Sequence, residues 1–231
     1  MNSFDKVYRG ILRRLYEGQV LPGQRLIAPV LAQEFDASRN TVREVLTRLS
    51  AIGVLTMVRN QSPTVRLLSR SEMQDLLEVV RSLLALAADF GARSVPLPGR
   101  REGLQAAYDA LSSSEIDGDL SRFVHARERY YRTLLQVGGN RELIRLFPTM
   151  HVHLMRLQLR SIPLVAQSAQ LSDYVAINEA VLAGDRAGAA EAARRHVQNM
   201  MDAVSLLPDA MFAPEPPFEL HIATEDLLEL V

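Results

Sequence analysis

From residue 71 onward the sequence is a series of long helical stretches, and no segment of it resembles a β-strand. Apolar residues recur at three- and four-residue spacing, and Pro, Gly or Ser interrupts the pattern at intervals. The spacing predicts helices over residues 71–94, 99–113, 119–137, 140–160, 166–183 and 185–206. Helices with an apolar stripe bury it against one another, so this part of the chain is expected to fold as an all-α bundle.

The first 68 residues follow a different pattern. Apolar spacing predicts three short helices, the third of which starts after Ser38 as N-cap and ends at Gly53. Two short runs, 54–58 and 64–67, predict strands around a polar turn. Three helices and a hairpin make a winged helix-turn-helix. The predicted fold class is therefore mostly α, with a winged helix-turn-helix domain over 1–68 and an all-helical domain over 71–206.

Residues 207–231 form a tail rich in Pro and acidic residues. Two interpretations stay open for it: a disordered segment, or a segment that ends in a docking helix.

Charge is distributed unevenly along the chain. The net charge is -1, yet residues 1–68 carry ten Lys and Arg against five Asp and Glu, and the remainder carries 16 against 22. A basic N-terminal part on an acidic body is typical of a DNA-binding module. The chain has no cysteine, which excludes disulfides, thiolate zinc sites and cysteine nucleophiles. Without an apolar leader or membrane-length apolar run, the expected location is the cytoplasm, with no membrane partner.

The third helix carries the residues expected to read DNA. A capped helix with Arg in its first turn, preceded by a short helix and a tight turn, is the geometry that enters the major groove. Arg39 and Arg43 are four residues apart and share a face. The candidate DNA contacts on this element are Ser38, Arg39, Asn40, Thr41 and Arg43. The alternative is an ordinary solvated helix face.

These residues resemble a known family. The runs Pro22-Gly23-Gln24-Arg25-Leu26, Leu31-Ala32, Ser38 to Leu46 and Leu49 to Leu55 are similar to the winged-helix head of GntR-type regulators. The resemblance covers residues 8–67 and implies that Arg25 also contacts operator DNA. It further implies a homodimer on a two-part operator. The wing departs from the family pattern, because Ser62 and Pro63 stand where a Gly is expected.

Residues 71–206 resemble the FCD ligand-binding domain of the FadR-type subfamily. Two anchors carry the resemblance: Val137-Gly138-Gly139-Asn140 with Leu143, and Ala183-Gly184-Asp185 with Ala189 and His196. Many members bind a divalent metal through one Asp and three His. At those positions this chain has Arg127, Tyr131, Tyr174 and His196. A guanidinium repels a cation and one imidazole cannot hold it, so the prediction is no metal and no cofactor. His125, His151 and His153 are spaced too poorly to replace the missing ligands.

In place of the metal, the chain offers groups that suit an anion. The resemblance implies a carboxylate effector, and Arg127 is able to bind one by a bidentate pair. The predicted effector site therefore contains Arg81, Arg127, Tyr131, Tyr174 and His196. The alternative is an outward-facing Arg127 and tyrosines that fill a collapsed pocket.

The predicted function is a transcriptional regulator, in particular a repressor whose binding to operator DNA changes with a small organic acid. Hydrolytic or metal-dependent catalysis has no supporting motif, so no enzyme activity is expected. A further alternative is a DNA-binding regulator with a non-functional effector pocket that acts through protein partners.

Overall fold

The structure is a computed structural model. It describes residues 2–116, 120–147, 152, 154, 155, 158 and 165–215. Within them, buried apolar side chains form two separate cores, one in the N-terminal head and one in the helical bundle. The mostly α fold class, with a winged helix-turn-helix followed by a helical bundle, is confirmed. No helix in these ranges has the length and apolar character needed to cross a membrane.

The head contains three helices and a small hairpin. Helix α1 spans Ser3–Tyr16, α2 spans Ala28–Glu34 and α3 spans Arg39–Ala51. The strands β1 (Leu55–Thr56) and β2 (Thr64–Val65) pair antiparallel, and both are shorter than the predicted runs. One face of each helix packs into the core of the head, which contains Val7, Ile11, Leu15, Leu31, Val42, Val45, Leu46, Leu49, Val54 and Val65.

The described part of the bundle contains five long helices and one short helix. Helix α4 spans Arg70–Ser94, α5 spans Arg100–Ile116, α6 spans Leu120–Gly138 and α7 spans Arg141–Leu146. Helix α8 spans Val165–Ala183 and α9 spans Arg186–Ser205, followed by a 3₁₀ turn at Asp209–Met211. Helix α4 starts with a capping box in which Ser69 and Glu72 satisfy each other's backbone N–H groups. Helices α4, α6, α8 and α9 enclose the core of the bundle.

The predicted continuous helix over 140–160 is wrong. Helix α7 ends at Leu146, and Phe147 has an extended backbone with ψ 120°. Residue 148 is Pro, whose ring disfavours the helical conformation for the residue before it. Residues 152, 154, 155 and 158 are again helical.

The joint between head and bundle, residues 68–71, is largely buried. Leu68 is 2% exposed and belongs to the bundle core, and Ser69 is fully buried. Residues 208–215 follow α9 and return to this joint, where Ala213 forms a parallel bridge with Ser69. The described part of the predicted tail is therefore folded. The choice between a disordered end and a docking helix concerns residues outside the described ranges.

Candidate nucleic-acid interface and buried polar site

The N-terminus of α3 is built by its cap. Ser38 has an extended backbone, and its hydroxyl accepts a hydrogen bond from Thr41 N at 3.0 Å. The hydroxyls of Ser38 and Thr41 are 2.9 Å apart and hydrogen-bond to each other. The opposite face of the helix buries Val42 and Val45. Because Val42 and Val45 are buried in the core of the head, the opposite face of α3 points to solvent.

The predicted DNA contacts lie on that solvent face. Arg39, Asn40 and Arg43 are all exposed, and Thr41 is half-buried. Among the residues that the structure describes, Arg39 and Arg43 form no ion pair. Two cationic side chains are thus available to an external anion.

Arg25 lies beside the hairpin rather than on α3. Its side chain is exposed, and its backbone bridges to Thr64 at the start of β2. At the tip of the hairpin, Asn60 has a φ of 62°, a left-handed conformation that Asn tolerates better than most residues. The tip therefore closes without the Gly that the family pattern has near Ser62.

A chain of polar side chains crosses the interior of the bundle, and we call it the buried polar chain: Tyr174, Tyr131, His196, Asp173 and Asn199. The hydroxyl of Tyr131 lies 2.8 Å from the Tyr174 hydroxyl and 2.7 Å from His196 Nε2. On its other side the imidazole donates from Nδ1 to Asp173 Oδ2 at 3.2 Å. Asn199 donates to both oxygens of the same carboxylate, at 3.0 Å each.

Burial and hydrogen bonds set the protonation of this chain. Burial raises the pKa of the Tyr131 hydroxyl well above its ordinary value, and the neighbouring Tyr174 adds to the effect. Burial also acts to raise the pKa of Asp173, but hydrogen bonds from His196 and Asn199 outweigh it, so the pKa is lowered. At neutral pH the chain therefore holds a neutral phenol and an ionised carboxylate, with the imidazole between them.

A small void adjoins the buried polar chain. Its volume is about 20 Å³, which is enough for about one water molecule. Tyr131 and His196 form its polar end, and its other walls are apolar: Leu77, Val80, Phe147, Val152, Met155, Val197 and Met200. Two of these walls are methionines, whose unbranched side chains adopt new rotamers readily. In this arrangement the void does not admit a metabolite.

The structure brings together three of the five predicted effector-site residues, namely Tyr131, Tyr174 and His196. Arg127 is buried at 8% exposure, and its guanidinium lies over the ring of Phe123, one turn earlier on α6, at 5.4 Å. Arg81 donates to Gln198 Oε1 at 2.8 Å, at the contact between α4 and α9. The roles of Arg127 and Arg81 toward an effector stay predictions. His125 is exposed on α6, and His151 and His153 lie outside the described residues.

Two further buried polar atoms have no hydrogen-bond partner in the described structure. They are the hydroxyl of Tyr130 and Oδ1 of Asn178. The ring of Tyr130 stands edge-on to that of Tyr174, with centroids 5.6 Å apart. Burial raises the pKa of Tyr130, so this hydroxyl too stays protonated.

Asp173 and Asn199 were not among the residues predicted for the site. Asp173 precedes Tyr174 on α8, and Asn199 lies three residues after His196 on α9. The sequence offered one indication for each: a carboxylate next to the predicted site residue Tyr174, and an amide one helical turn after the predicted site residue His196. The partner of each lies on the other helix, which no spacing within one helix reveals.

Comparisons with known proteins agree with both halves of the fold. Residues 4–65 match the family described as "Bacterial regulatory proteins, gntR family", and residues 75–199 match the FCD domain. Among characterised relatives, the chain is 26% identical to the HTH-type transcriptional regulator LutR of Bacillus subtilis, over 81% of this chain and 94% of that one. It is 20% identical to a probable D-xylose utilization operon transcriptional repressor of Paenarthrobacter nicotinovorans, over 84% and 85%.

Two solved structures share the fold. McbR/YncC of Escherichia coli superposes with a TM-score of 0.75 at 19% identity, covering 89% of this chain and 98% of that one. A putative transcriptional regulator GntR from Rhodococcus sp. RHA1 gives 0.76 at 19% identity, covering 87% and 97%. At these identities the likeness shows the fold alone.

Proposed function

Because this chain belongs to the GntR family of bacterial regulators and carries an FCD domain, we propose that it is a transcriptional repressor that leaves its operator when a small organic acid binds in the bundle. It is a DNA-binding transcriptional regulator by family membership. The observation that carries the proposed mode of DNA binding is the capped N-terminus of α3, which exposes Arg39, Asn40 and Arg43 on one face.

In the proposed complex, this end of α3 enters the major groove. Arg43 and Arg39 are positioned to fork onto guanine edges or phosphates, and Ser38 and Thr41 offer hydroxyls to the backbone. Arg25 and the hairpin tip approach the neighbouring phosphates. Each cationic contact displaces condensed counterions, so affinity falls steeply as salt increases.

We further propose a homodimer that acts in the cytoplasm, has no membrane partner and has no catalytic activity. GntR-type regulators typically dimerise, and two heads related by a two-fold axis suit two half-sites of a pseudo-palindrome. One of the relatives named above is itself described as a probable repressor, which supports repression rather than activation.

The proposed effector site is the end of the void where Tyr131 and His196 meet, next to Tyr174. Phenolic hydroxyls and an imidazole are donors for a carboxyl group, and the apolar walls suit the carbon skeleton of a small acid. Arg127 and Arg81 are the proposed cations of the site. Met155 and Met200 must change rotamer for an acid to enter, because the void holds only about one water molecule.

The residues at the FCD metal positions do not fit a divalent cation, and we propose that this regulator works without one. The hydroxyls of Tyr131 and Tyr174 bond to each other, and Nε2 of His196 is engaged by Tyr131 at 2.7 Å. The raised pKa of Tyr131 keeps its hydroxyl protonated, and a neutral phenol is a poor ligand. Arg127 adds a positive charge where the family has Asp. Throughout the described ranges, no three His, Asp or Glu side chains are grouped to hold a metal.

A second candidate is favoured by the small size of the void. In that account the pocket is permanently closed by the tyrosines and methionines, and the regulator responds to protein partners instead of a metabolite. The two accounts differ in a melting experiment with a panel of small carboxylic acids. An acid that raises Tm in the wild type and not in Tyr131→Phe supports the effector site, whereas no response to any acid supports the second candidate.

DNA binding is tested by selecting an operator from a random-sequence DNA pool with the wild-type protein. Arg43→Ala is expected to raise Kd for that operator by about 5–150-fold, corresponding to about 1–3 kcal/mol for a bidentate base contact. The matched control is Arg145→Ala, which removes an exposed arginine on α7 that forms an ion pair with Glu142. An unchanged Kd in Arg43→Ala, or an equal loss in Arg145→Ala, contradicts the assignment of α3 as the reading helix.

A further inference from the structure

The joint between head and bundle is held by side-chain and backbone hydrogen bonds from two other parts of the chain. Leu68 N donates to Gln158 Oε1 at 2.9 Å, and Gln158 Nε2 returns a bond to Leu68 O at 2.8 Å. Ala213 N donates to the same carbonyl at 3.1 Å. The backbone of Leu68 is therefore fully paired by residues that follow it by 90 positions or more. A joint of this kind is a fixed connection rather than a flexible linker.

Residues 208–215, which we call the strap, are fastened along the start of α4. Arg70 lies over the ring of Phe212 at 4.3 Å and forms an ion pair with Asp209 at 2.7 Å. The same guanidinium caps the end of α9 by donating to Val204 O at 2.7 Å.

The end of the strap meets the N-terminus of α4. Glu215 accepts hydrogen bonds from Ser69 Oγ at 2.9 Å, from Ser71 N at 3.2 Å and from the Ser71 hydroxyl. These bonds lower the pKa of Glu215, so its carboxylate is ionised at the positive end of the helix. The strap is therefore bound to the start of α4 at both of its ends, through Asp209 and through Glu215.

Gln158 connects the joint, the strap and the bundle. Besides its two bonds with Leu68, its Nε2 donates to Met211 O at 2.9 Å. Leu154, one helical turn earlier, is fully buried in the core of the head. On the same stretch, Val152 and Met155 line the void beside Tyr131 and His196. One short stretch of chain therefore contacts the head, the joint and the proposed effector site.

We propose that Gln158 and the strap form a lock that fixes the orientation of the head on the bundle, and that Gln158 is a positioning residue for DNA binding. This inference rests on the proposed function, because it concerns how that regulator presents its α3 helices. In a dimer whose heads are locked, both α3 helices reach their half-sites only at one separation. Once one head is bound, the second head has a high effective concentration at its half-site only when the two half-sites have that separation.

Loss of the lock has a distinct signature. The reading surface of α3 is far from Gln158 in sequence, and within the described ranges the hydrogen bonds of Gln158 go to Leu68 and Met211 rather than to α3. Affinity for an isolated half-site is therefore expected to be retained. A head that turns freely on its joint loses the preference for one half-site separation, and the gain from binding with two heads becomes smaller. A merely structural defect lowers both affinities together, which separates it from the proposed role.

The test uses the full chain and the operator recovered from a random-sequence pool. Kd is measured for the selected operator, for variants with one to five base pairs inserted between half-sites, and for a single half-site. In Gln158→Ala and Phe212→Ala, affinity for the selected operator is expected to fall about tenfold or more, with the half-site Kd within about twofold of wild type. The penalty for inserted base pairs is expected to shrink in parallel.

Two variants serve as matched controls. Gln105→Ala removes a glutamine that bonds to Asp109 on its own helix, and Leu206→Ala truncates a side chain that is 85% exposed just before the strap. Both are expected to keep the wild-type spacing preference. Should Gln158→Ala fail to fold, Ser71→Ala removes the hydroxyl that donates to Glu215, at an exposed position, and keeps the backbone N–H bond. It is expected to give a smaller change in the same direction.

The outcomes distinguish this inference from the proposed function. A wild type that selects no DNA removes the proposed function and the inference with it. A wild type that selects an operator, together with lock variants that keep its sharp spacing preference, overturns the inference alone. An equal loss of affinity for the operator and for the half-site overturns it too, because it shows general destabilisation.

Discussion

Two adjacent tyrosines on α6 offer the sharpest test of the buried polar chain. The hydroxyl of Tyr131 bonds to Tyr174 at 2.8 Å and to His196 at 2.7 Å. The hydroxyl of Tyr130 is also buried but has no hydrogen-bond partner among the described residues. The same substitution, Tyr to Phe, therefore removes a bonded hydroxyl at one position and an unbonded one at the next.

The expected magnitudes follow from what each substitution leaves behind. Tyr131→Phe removes one hydrogen-bond partner from the Tyr174 hydroxyl and one from His196 Nε2. Each buried polar group that loses a partner costs about 1–3 kcal/mol. Tyr174 and His196 each take part in further interactions, so the expected loss is about 2–4 kcal/mol in total. Tyr130→Phe keeps the ring and its packing while removing a desolvated hydroxyl. Its stability is expected to be unchanged or higher by up to about 1 kcal/mol.

The assay is denaturation by guanidinium chloride followed by helical circular dichroism, with a thermal melt beside it. A loss of about 2–4 kcal/mol corresponds to a fall in Tm of about 4–16 °C for a protein of this size. Equal slopes of free energy against denaturant in all three proteins are required for the comparison. Equal destabilisation by both substitutions, or none by Tyr131→Phe, would refute the hydrogen-bonded arrangement.

Two further predictions concern the chain's carboxylate and the cap of α3. Hydrogen bonds outweigh burial and lower the pKa of Asp173, so its contribution to stability is complete above about pH 4 and is lost as pH falls through the lowered pKa. The stability advantage of the wild type over Asp173→Asn should therefore persist from pH 7 to about pH 4 and decrease below it, as measured by denaturation between pH 7 and 3. Ser38→Ala should cost about 1 kcal/mol, whereas Ser38→Asp should keep the cap and stability yet weaken DNA binding; an Asp variant with wild-type affinity places Ser38 away from phosphate.

The elements of the head were predictable because their signals are local. Ser38 ahead of an amphipathic run predicted the start of α3, and the structure has the hydroxyl in place on Thr41 N. The break after Leu146 was equally local, since Pro148 disfavours a helical Phe147, but the strong apolar spacing on both sides obscured it.

The site was less predictable because its contacts cross between helices. Tyr131, Tyr174 and His196 came from a family resemblance, and the resemblance placed them together without showing what they bond. Asp173 approaches His196 across the α8 and α9 contact, 23 residues away. Arg81 follows the buried Val80, at the edge of the buried face of α4, and its partner Gln198 lies on α9. Only the packing of the helices determines such pairs.

The strap was hidden by its composition. Pro and acidic residues after α9 are typical of a solvated tail, and no spacing in residues 208–215 indicates a packed element. Its order arises from single specific contacts, namely Arg70 with Phe212 and Glu215 with the start of α4. Contacts that depend on one side chain each leave no periodic trace in a sequence.

The position of the strap in the sequence also bears on how the molecule is made. The head is synthesised before the bundle and has a core largely of its own, so it is able to fold while the bundle is still on the ribosome. Its joint to the bundle is completed only after α9 has been synthesised, when Ala213 and Glu215 emerge. During elongation each nascent chain thus carries a folded reading head that is not yet seated.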